Sequence, residues 1–308
     1  MKAGSFYAGL TAVALGLVGV LPAPERAAAT TILNTADNSA VLGASTVTNT
    51  GPTTITGGLG LFPGTSITGF FGTTENDGPG IVAGAPGSIH QTDAVAMQAQ
   101  TDASTAFGIL KGLTPSFSLT GEDLGGLTLN PGVYSFGSSA DLTGTLTLDF
   151  TGPDQDFVFQ IGSTLTTASG SSVIVDGGDS TDGIFFDVGS SATLGTATTF
   201  QGNILADASI SLNTAATDLC GRVIALTGAV TMDDNTISDS CAASNTGYSG
   251  GSTSVIPPGS IKTGTPVPAP VPEPSTLALF GGSLSGLLGL AMHRRRVRSP
   301  QGSRPAIG

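Results

Sequence analysis

The chain has 308 residues, of which 46 are glycine, none is tryptophan and only 10% are charged. This composition disfavours a helical bundle, because Glu, Lys and Arg are scarce while Thr, Ser, Gly and Val, which suit short strands and turns, are plentiful. The net charge is −12, and residues 30–271 hold 20 of the 22 acids but only Lys111, Arg222 and Lys262 as bases. A surface this acidic repels phosphate backbones, so nucleic-acid binding is disfavoured.

The first 29 residues have the pattern of a secretory signal peptide. Lys2 precedes an apolar run over residues 6–21, and the small residues Ala27, Ala28 and Ala29 offer a cleavage site. Residues 1–29 are therefore predicted to be removed on export, with a retained membrane anchor as the alternative. The folded domain is predicted to cover residues 30–242.

Short strands are predicted at the start of this domain, followed by its one clear helix. Val47 and Ile55 stand among threonines, and a Gly-Pro turn separates them. The helix is predicted over residues 91–113, with Thr92 as its N-cap. One side of it carries small and apolar residues at helical spacing, which suits close packing on a flat sheet: Ala96, Ala99, Ala103, Ala106, Phe107 and Leu110.

Strand patterns resume after the helix. Leu142, Leu146 and Leu148 are predicted to point inward, and the threonines between them outward, because side chains alternate along a strand. Residues 157–161 and 184–188 are stronger apolar runs, and their aromatic side chains are expected to fill the core.

Four similar phrases then recur between residues 161 and 236. Each places one apolar anchor before a small polar cluster; the anchors are Leu165, Leu194, Leu212 and Met232. Their separations of 29, 18 and 20 residues are typical of a solenoid, in which each repeat is one coil stacked on the next. The Thr-rich clusters are therefore expected to stack into a flat face that binds something regular.

Several long phrases resemble one known family. They include L-G-G-L-T-L-x-P-G-V-Y, F-x-F-Q-I-G-S-T-L-T-T-A-S-G-S-S-V, V-G-S-S-A-T-L-G-T and T-G-A-V-T-M-D, and the match runs from about residue 29 to residue 242. The chain thus resembles the microbial ice-binding protein family. The resemblance implies a mostly β fold: a discontinuous right-handed β-solenoid, triangular in section, with one long α-helix packed alongside. No cofactor and no enzymatic activity are expected.

The resemblance also implies which residues face ice. A Thr-Ala/Gly-x-Thr/Asn pattern described for the family matches residues 50–53, 196–199 and 214–217, and in part 167–170. The expected ice-binding residues are Thr50, Thr53, Thr167, Ser169, Thr196, Thr198, Thr199, Thr214 and Thr217. Thr suits this role because its hydroxyl can hold an ordered water, its methyl limits competing hydration and its β-branch restricts the rotamer. Asp233-Asp234-Asn235 interrupts the series of Thr-rich clusters, and the coil at Met232 is therefore expected to be a weak edge of the ice-binding face.

Two further features have open alternatives. Cys220 and Cys241 are the only cysteines, and in an exported protein a disulfide between them is favoured over two free thiols. The acidic segment 176–183 is predicted to be a turn, since it lacks the ligand spacing of a known calcium motif. Calcium is the alternative there; no metal site is assigned.

The C-terminal part of the chain is interpreted as a tether and a sorting signal. Residues 243–270 are rich in Ser, Gly, Thr and Pro and are predicted to be a flexible linker. Residues 271–298, with Pro272, Glu273 and Pro274, an apolar segment 276–292 and the arginines after it, resemble the PEP-CTERM sorting signal. Residues 299–308 form a basic tail. The resemblance implies handling by an exosortase-type enzyme in a Gram-negative bacterium; a plain C-terminal membrane anchor is the alternative.

Three functions are considered for the mature domain. The first is an exported, monomeric ice-binding protein that inhibits ice growth or recrystallisation and meets the membrane only through its C-terminal signal. The second is a cell-surface adhesin or extracellular-matrix component that binds carbohydrate. A polysaccharide hydrolase is a distant third, because the domain has few basic side chains and no Trp for binding sugars, and His90 has no evident catalytic partner in sequence.

Overall fold

The structure is a computed structural model, and it describes residues 31–72, 77–83, 88–152, 155–178 and 182–240. The described strands form three parallel sheets, here called A, B and C and numbered in chain order. Sheet A holds β1 (Ser39–Gly43), β4 (Gly58–Leu61), β7 (Ile89–Gln91), β8 (Phe117–Ser118), β10 (Gly132–Phe136), β13 (Asp156–Ile161), β16 (Gly183–Val188), β19 (Asn203–Ala206) and β22 (Arg222–Ala225). Sheet B holds β2 (Thr46–Asn49), β5 (Ser66–Thr68), β11 (Ala140–Leu142), β14 (Leu165–Thr167), β17 (Ala192–Leu194), β20 (Ile210–Leu212) and β23 (Val230–Met232). Sheet C holds β3 (Thr54–Thr56), β6 (Ile81–Val82), β9 (Thr128–Leu129), β12 (Thr145–Asp149), β15 (Ser172–Asp176), β18 (Thr199–Phe200), β21 (Thr217–Leu219) and β24 (Thr236–Ser238).

Apart from β7, β8 and β9, which lie in sheets A, A and C, the chain visits the sheets in the order A, B, C, so three consecutive strands make one coil of a three-sided solenoid. The coils do not stack in chain order. The first coil, β1–β3, lies between the second coil and the last coil, because β1 pairs with β22, β2 with β23 and β3 with β24. We call this junction of the first and last coils the seam. The expected discontinuous, mostly β solenoid is confirmed.

Inward side chains fill the solenoid in the period-two pattern that the sequence predicts. Leu142, Leu146 and Leu148 are buried. Aromatic rings from successive coils also stack along the axis, and the rings of Phe159 and Phe186 are nearly parallel with centroids 4.6 Å apart. Such pairs contribute about 0.5–1.5 kcal/mol beyond the area that they bury. The core therefore runs the length of the solenoid.

The helix α1 (Ala94–Lys111) covers the outer side of sheet A. Its small-residue side is buried as predicted, against outward residues of sheet A such as Val158, Phe185 and Ile224. The predicted cap was wrong: Asp93 is the N-cap and accepts a hydrogen bond from the Ala96 amide, while Thr92 has φ +58° and donates its hydroxyl proton to the Gly64 carbonyl. Since α1 occupies sheet A, sheets B and C are left as the open faces.

Both ends of the described chain lie at the edge where sheet C meets sheet A. The 3-10 helix Asn34–Asn38 precedes β1, and β24 is followed by Asp239, whose amide donates to the Thr56 carbonyl. Arg222 stabilises this edge: it forms an ion pair with Asp37 at 2.7 Å and donates a hydrogen bond to Asn203 at 3.1 Å. In a three-sided section, the edge between C and A is opposite sheet B.

Several predicted features fall outside the described residues: the signal peptide, the linker, the sorting signal with its apolar segment 276–292, the basic tail, and residues 179–181 of the acidic segment. Within the part of the chain that the structure describes, no helix is long and apolar enough to cross a membrane. Cys220 is buried at the end of β21, and no described cysteine is free. Cys241 is not among the described residues, so the disulfide stays a prediction.

Candidate functional site

The outer surface of sheet B carries a continuous row of hydroxyl groups. The three-residue strands β11, β14, β17, β20 and β23 place their two ends inward and their middle residue outward, because side chains alternate along a strand. From β14 onward these middle residues are in register with one another and with the outward residues Thr48 of β2 and Thr68 of β5. We call this set the central row: Thr166, Thr193, Ser211, Thr231, Thr48 and Thr68. None of these six side chains is charged. The row ends at Asp141, which pairs with Thr166.

A second line of small hydroxyl residues runs beside the central row, one residue before the first inward position of each strand: Ser139, Thr164, Ser191, Ser209, Thr46 and Ser66, with Ala229 in one coil. Hydrogen bonds tie neighbouring coils along these lines. Thr164 donates to Ser139 at 2.8 Å, and Thr231 donates to Ser211 at 3.0 Å. Both bonds run along the solenoid axis, so they hold the coils in register.

A third line follows the edge between sheets B and C, and we call it the corner row: Ser169, Thr196, Thr214, Asp233 and Thr50. The chain turns here through a residue in the left-handed region, as at Ala197 (φ 56°) and Ala215 (φ 60°). Gly, and less often Asn and Asp, adopt that conformation readily, while Ala does so at a cost of about 1–2 kcal/mol. The Thr-Ala-x-Thr pattern is therefore a corner pattern: an exposed Thr, a left-handed residue, a buried residue and the first residue of a sheet C strand.

The structure separates the nine predicted residues into three groups. Thr50, Ser169, Thr196 and Thr214 are exposed on the corner row, and Thr199 and Thr217 face outward from sheet C. Thr53, Thr167 and Thr198 are buried. A side chain without exposed surface cannot touch ice, so these three hold the corner together instead.

Sequence reasoning missed the central row, although its signal was present. The phrases Ala-Thr-Leu, Ile-Ser-Leu and Val-Thr-Met alternate apolar and hydroxyl residues, and Leu-Thr-Thr differs from them in its last residue. The sequence prediction treats each phrase as an apolar anchor before a polar cluster, and so it places the site in the cluster and not at the middle residue. Reading each three-residue phrase as one strand would have identified the row.

The central and corner rows enclose a shallow trough of about 370 Å³. Thr48 and Thr231 form one wall, Thr50, Thr196 and Thr214 stand on the other, and Leu212 and Met232 also line it. Threonine methyl and hydroxyl groups thus lie side by side over one water-accessible surface, to which the largely buried Leu212 and Met232 add little. The coil at Met232 lies in the middle of this surface, between β20 and β2. Its expected position at an edge was wrong, because the first coil stacks beyond it at the seam.

Sheet C offers a less uniform surface. Its strands share one hydroxyl row, which includes Thr199, Thr217 and Thr236 in register. A neighbouring row mixes the exposed apolar side chains of Ile174 (48% exposed) and Leu219 (39% exposed) with polar ones. Asp176 is also exposed at the end of β15. The chemically more regular face is therefore sheet B.

Buried acids lie away from both open faces. Asp187, on the outer side of sheet A, is 2% exposed; burial raises its pKa to about 7, an effect that Lys111 opposes and Asp207 adds to. Burial likewise raises the pKa of Asp218, inside sheet C, well above its usual range, with Arg222 opposing. His90 contacts the helix cap Asp93 at 2.8 Å, so its role is at the start of α1.

The described chain is a three-sided parallel solenoid, the class of fold that stacks coils into extended surfaces. A helix covers one of its sides, and another side carries rows of hydroxyl groups. Comparison with known proteins identifies the family within that class. Residues 41–238 match the Ice-binding-like family, and the chain belongs to it. Residues 270–296 match the PEP-CTERM protein-sorting motif.

Relatives and solved structures agree with this assignment. The chain is 51% identical over 265 residues to an ice-binding protein of Nostoc sp. (strain HG1), covering 85% of this chain and 87% of the relative. It is 33% identical over 217 residues to an ice-binding protein of Colwellia sp., covering 67% and 82%. An ice-binding protein structure from an Antarctic biological consortium superposes with a TM-score of 0.60 at 40% identity, covering 71% and 95%. One from the ascomycete Antarctomyces psychrotrophicus gives 0.61 at 37% identity, covering 68% and 98%.

Proposed function

We propose that this protein binds ice through sheet B and the corner row, and that adsorption inhibits ice growth or recrystallisation. The observation that carries the proposal is the central row, in which six adjacent coils present one hydroxyl each in strict strand register. Adjacent strands in a sheet lie about 4.8 Å apart, so the hydroxyls repeat at a nearly constant interval along a flat surface. A crystal face is itself a periodic array, and a periodic surface can match it over many contacts.

Each contact is weak, and their number provides the affinity. A Thr offers a hydroxyl that anchors water and a methyl that excludes it, and its branched Cβ leaves little rotamer freedom to lose on binding. Once one coil docks, the others are already in place, so their contacts add without a new association cost. Rigidity is supplied by the coil-to-coil hydrogen bonds and the packed interior.

Sheet B is preferred over sheet C because it has two lines of hydroxyls with the corner row beside them, while sheet C interrupts its second line with Ile174 and Leu219. The exposed residues predicted on the corner, Thr50, Ser169, Thr196 and Thr214, belong to the proposed surface. Thr199 and Thr217 lie around the corner from it.

We further propose that the protein acts without catalysis, as a monomer, outside the cytoplasm of a Gram-negative bacterium. The sorting motif supports export to the surface and handling by an exosortase-type enzyme. The described chain ends at the edge between sheets C and A, opposite sheet B, so a tether that begins there leaves the proposed face unobstructed. The acidic surface supports solubility outside the cell.

One matched pair of variants tests the choice of face. Thr231 and Thr236 are exposed, lie in the same coil and face outward from sheets B and C respectively. Thr231→Tyr places a bulky ring on the central row and should abolish thermal hysteresis and crystal shaping, whereas Thr236→Tyr should leave both near the unmodified value. Equal loss in the two variants, or loss only in Thr236→Tyr, would mean that sheet B is not the binding face. An unmodified domain that neither shapes ice nor slows recrystallisation would overturn the function itself and favour the carbohydrate-binding adhesin.

A further inference from the structure

Asp233 stands in the corner row where the preceding coils have Thr214 and Thr196. Its coil turns the corner with one residue fewer: five residues separate Val230 from Thr236, against six between the paired residues Ile210 and Thr217. The Asp233 amide donates to the Asn235 side chain at 2.6 Å, and the Asn235 amide group donates to carbonyls of the coil before, which compensates for the shorter turn.

Both carboxylate oxygens of Asp233 accept hydrogen bonds from threonine hydroxyls. The Thr214 hydroxyl donates to Oδ2 at 2.5 Å, and the Thr50 hydroxyl donates to Oδ1 at 3.1 Å. Thr214 belongs to the coil on one side of Asp233 and Thr50 to the coil on the other. All three residues line the trough between the corner and central rows. One side chain therefore links three consecutive members of the corner row.

These bonds cross the seam. Asp233 and Thr50 are 183 positions apart in the chain, yet their coils are neighbours. Backbone bonds also cross here, since the Thr50 amide donates to the Met232 carbonyl at 3.0 Å. The Asp233 bond to Thr50 is the side-chain contact that joins the corner row of the N-terminal coils to that of the C-terminal coils.

An exposed carboxylate in the middle of an ice-facing surface would hold its own hydration shell, which opposes docking. Here two hydroxyl donors occupy the carboxylate, and charge-assisted bonds of this kind are stronger than those between neutral groups. They also engage the hydroxyl proton of Thr214, while that of Thr50 is shared between Asp233 and the Met232 carbonyl at 3.4 Å. Both hydroxyl groups are thereby oriented, and their lone pairs are available to water in the trough.

We propose that Asp233 is a positioning residue that aligns Thr50 and Thr214 across the seam, so that two separate chain segments present one continuous ice-binding surface. The inference rests on the proposed function and adds to it a residue that the Thr-rich pattern would exclude. Asp233 acts through its two neighbours, which contact the ice.

The test compares Asp233→Ala and Asp233→Asn with Asp234→Asn in the mature domain. Asp234 is the adjacent exposed acid, and its φ of 55° is a conformation that Asn tolerates. Asp234→Asn therefore removes one negative charge, as Asp233→Asn does, and keeps the hydrogen bonds of Asp233 to Thr50 and Thr214. We expect thermal hysteresis to fall at least about threefold in Asp233→Ala, to fall less in Asp233→Asn, which keeps one acceptor, and to stay unchanged in Asp234→Asn. Melting temperatures, measured in parallel, should change little.

A double-variant cycle separates positioning from a general structural role. If Asp233 acts through Thr214, then Asp233→Ala should cost less activity in a Thr214→Val background than in the unmodified protein. Full activity in Asp233→Ala, or a loss that is additive with Thr214→Val and follows the melting temperature, would overturn the inference. The proposed function is tested separately. If the unmodified protein is active and Thr231→Tyr abolishes that activity, the proposed function is supported whatever the result for Asp233→Ala.

Discussion

The Thr167 and Thr198 hydroxyl oxygens lie 2.8 Å apart inside the corner between sheets B and C, each from a different coil. Both side chains are buried, and Thr167 also accepts a hydrogen bond from the Gly195 amide at 2.8 Å. Two threonines of the family pattern therefore bind the coils to one another. Threonine therefore forms hydrogen bonds between coils on the inside of the corner and makes the proposed contact with ice on the outside.

Thr198→Val should separate these two roles. The substitution keeps the shape and removes a hydroxyl that bonds to Thr167 and to the Ala168 carbonyl at 3.2 Å. We expect a loss of about 1–3 kcal/mol in the free energy of unfolding, measured by urea denaturation, because buried polar groups lose their partner. Thermal hysteresis per folded molecule should be unchanged. A variant with normal stability and lost activity would instead place Thr198 on the binding surface.

Gly51 allows the first and last coils to approach each other at the corner. A Cβ there would lie 2.4 Å from the Asp234 amide nitrogen and 2.8 Å from an Asp233 carboxylate oxygen. Gly51→Ala should therefore destabilise the domain by roughly 1–3 kcal/mol through overpacking and should lower thermal hysteresis by separating Thr50 from Asp233.

Gly108→Ala is the control for this change. Gly108 is exposed in α1, and a Cβ there meets nothing within 4 Å. Replacing a helical Gly with Ala should stabilise by about 0.5–1 kcal/mol, with no effect on ice activity. Calorimetry on both variants measures whether each substitution raises or lowers the stability of the domain. A Gly51→Ala protein that is as stable and active as its parent would show that the coils can separate at the seam without consequence.

Ser211→Thr should improve the central row. Ser211 is the one member without a methyl group, and its neighbours Thr193 and Thr231 show that the row accommodates Thr. The added methyl restricts the rotamer and extends the apolar part of the surface. Because one contact among many changes, we expect a gain in thermal hysteresis of about twofold or less. Ser172→Thr on sheet C is the matched control, and an equal gain there would argue against a face-specific effect.

Asp187→Asn should make the domain more stable at neutral and higher pH. Burial raises the pKa of Asp187 to about 7 in the folded state, with Lys111 opposing and Asp207 adding to the shift, and one carboxylate oxygen has no hydrogen-bond partner. The folded state then binds a proton that the unfolded state releases between about pH 4 and pH 7, so this group lowers stability as the pH rises through that window.

The gain from Asp187→Asn should therefore depend on pH. We expect about 4 kcal/mol at pH 8, because the pKa rises from 3.8 to about 7 on folding and each unit corresponds to about 1.4 kcal/mol. We expect almost no gain at pH 3.5, where both states bind the proton. Urea unfolding of parent and variant at the two pH values measures the difference. A gain of equal size at both would mean that the cause is packing and not ionisation.

The sequence predicted the fold through its alternation and spacing, because these depend on local physical rules. Leu146 and Leu148 are inward since side chains alternate, and Ala99, Ala103 and Ala106 face sheet A since they share one side of a helix. The N-cap of the helix was harder to predict from the sequence, because both Thr92 and Asp93 are good capping residues. Which of them caps the helix depends on the Gly64 carbonyl of another coil, which accepts a hydrogen bond from Thr92.

The candidate site was harder to predict, because exposure at a corner is decided by the neighbouring coil. Thr196 and Thr198 are chemically identical and two residues apart, yet the left-handed turn at Ala197 directs one outward and the other inward. The position of Met232 depended on which coil stacks next to it. That pairing joins residues more than 180 positions apart, as at Thr48 and Thr231, and no local pattern encodes it.

The stacking order also constrains how the chain can reach its native state. A solenoid whose coils stack in sequence can grow from one end, each new coil adding to the last. Here the first coil must keep its strand edges unpaired until β22, β23 and β24 have been made, and exposed strand edges are sites of mispairing during synthesis. A protein shortened anywhere before residue 238 would leave that edge open. We therefore expect C-terminal truncations that remove β24 to aggregate, instead of folding as shorter solenoids.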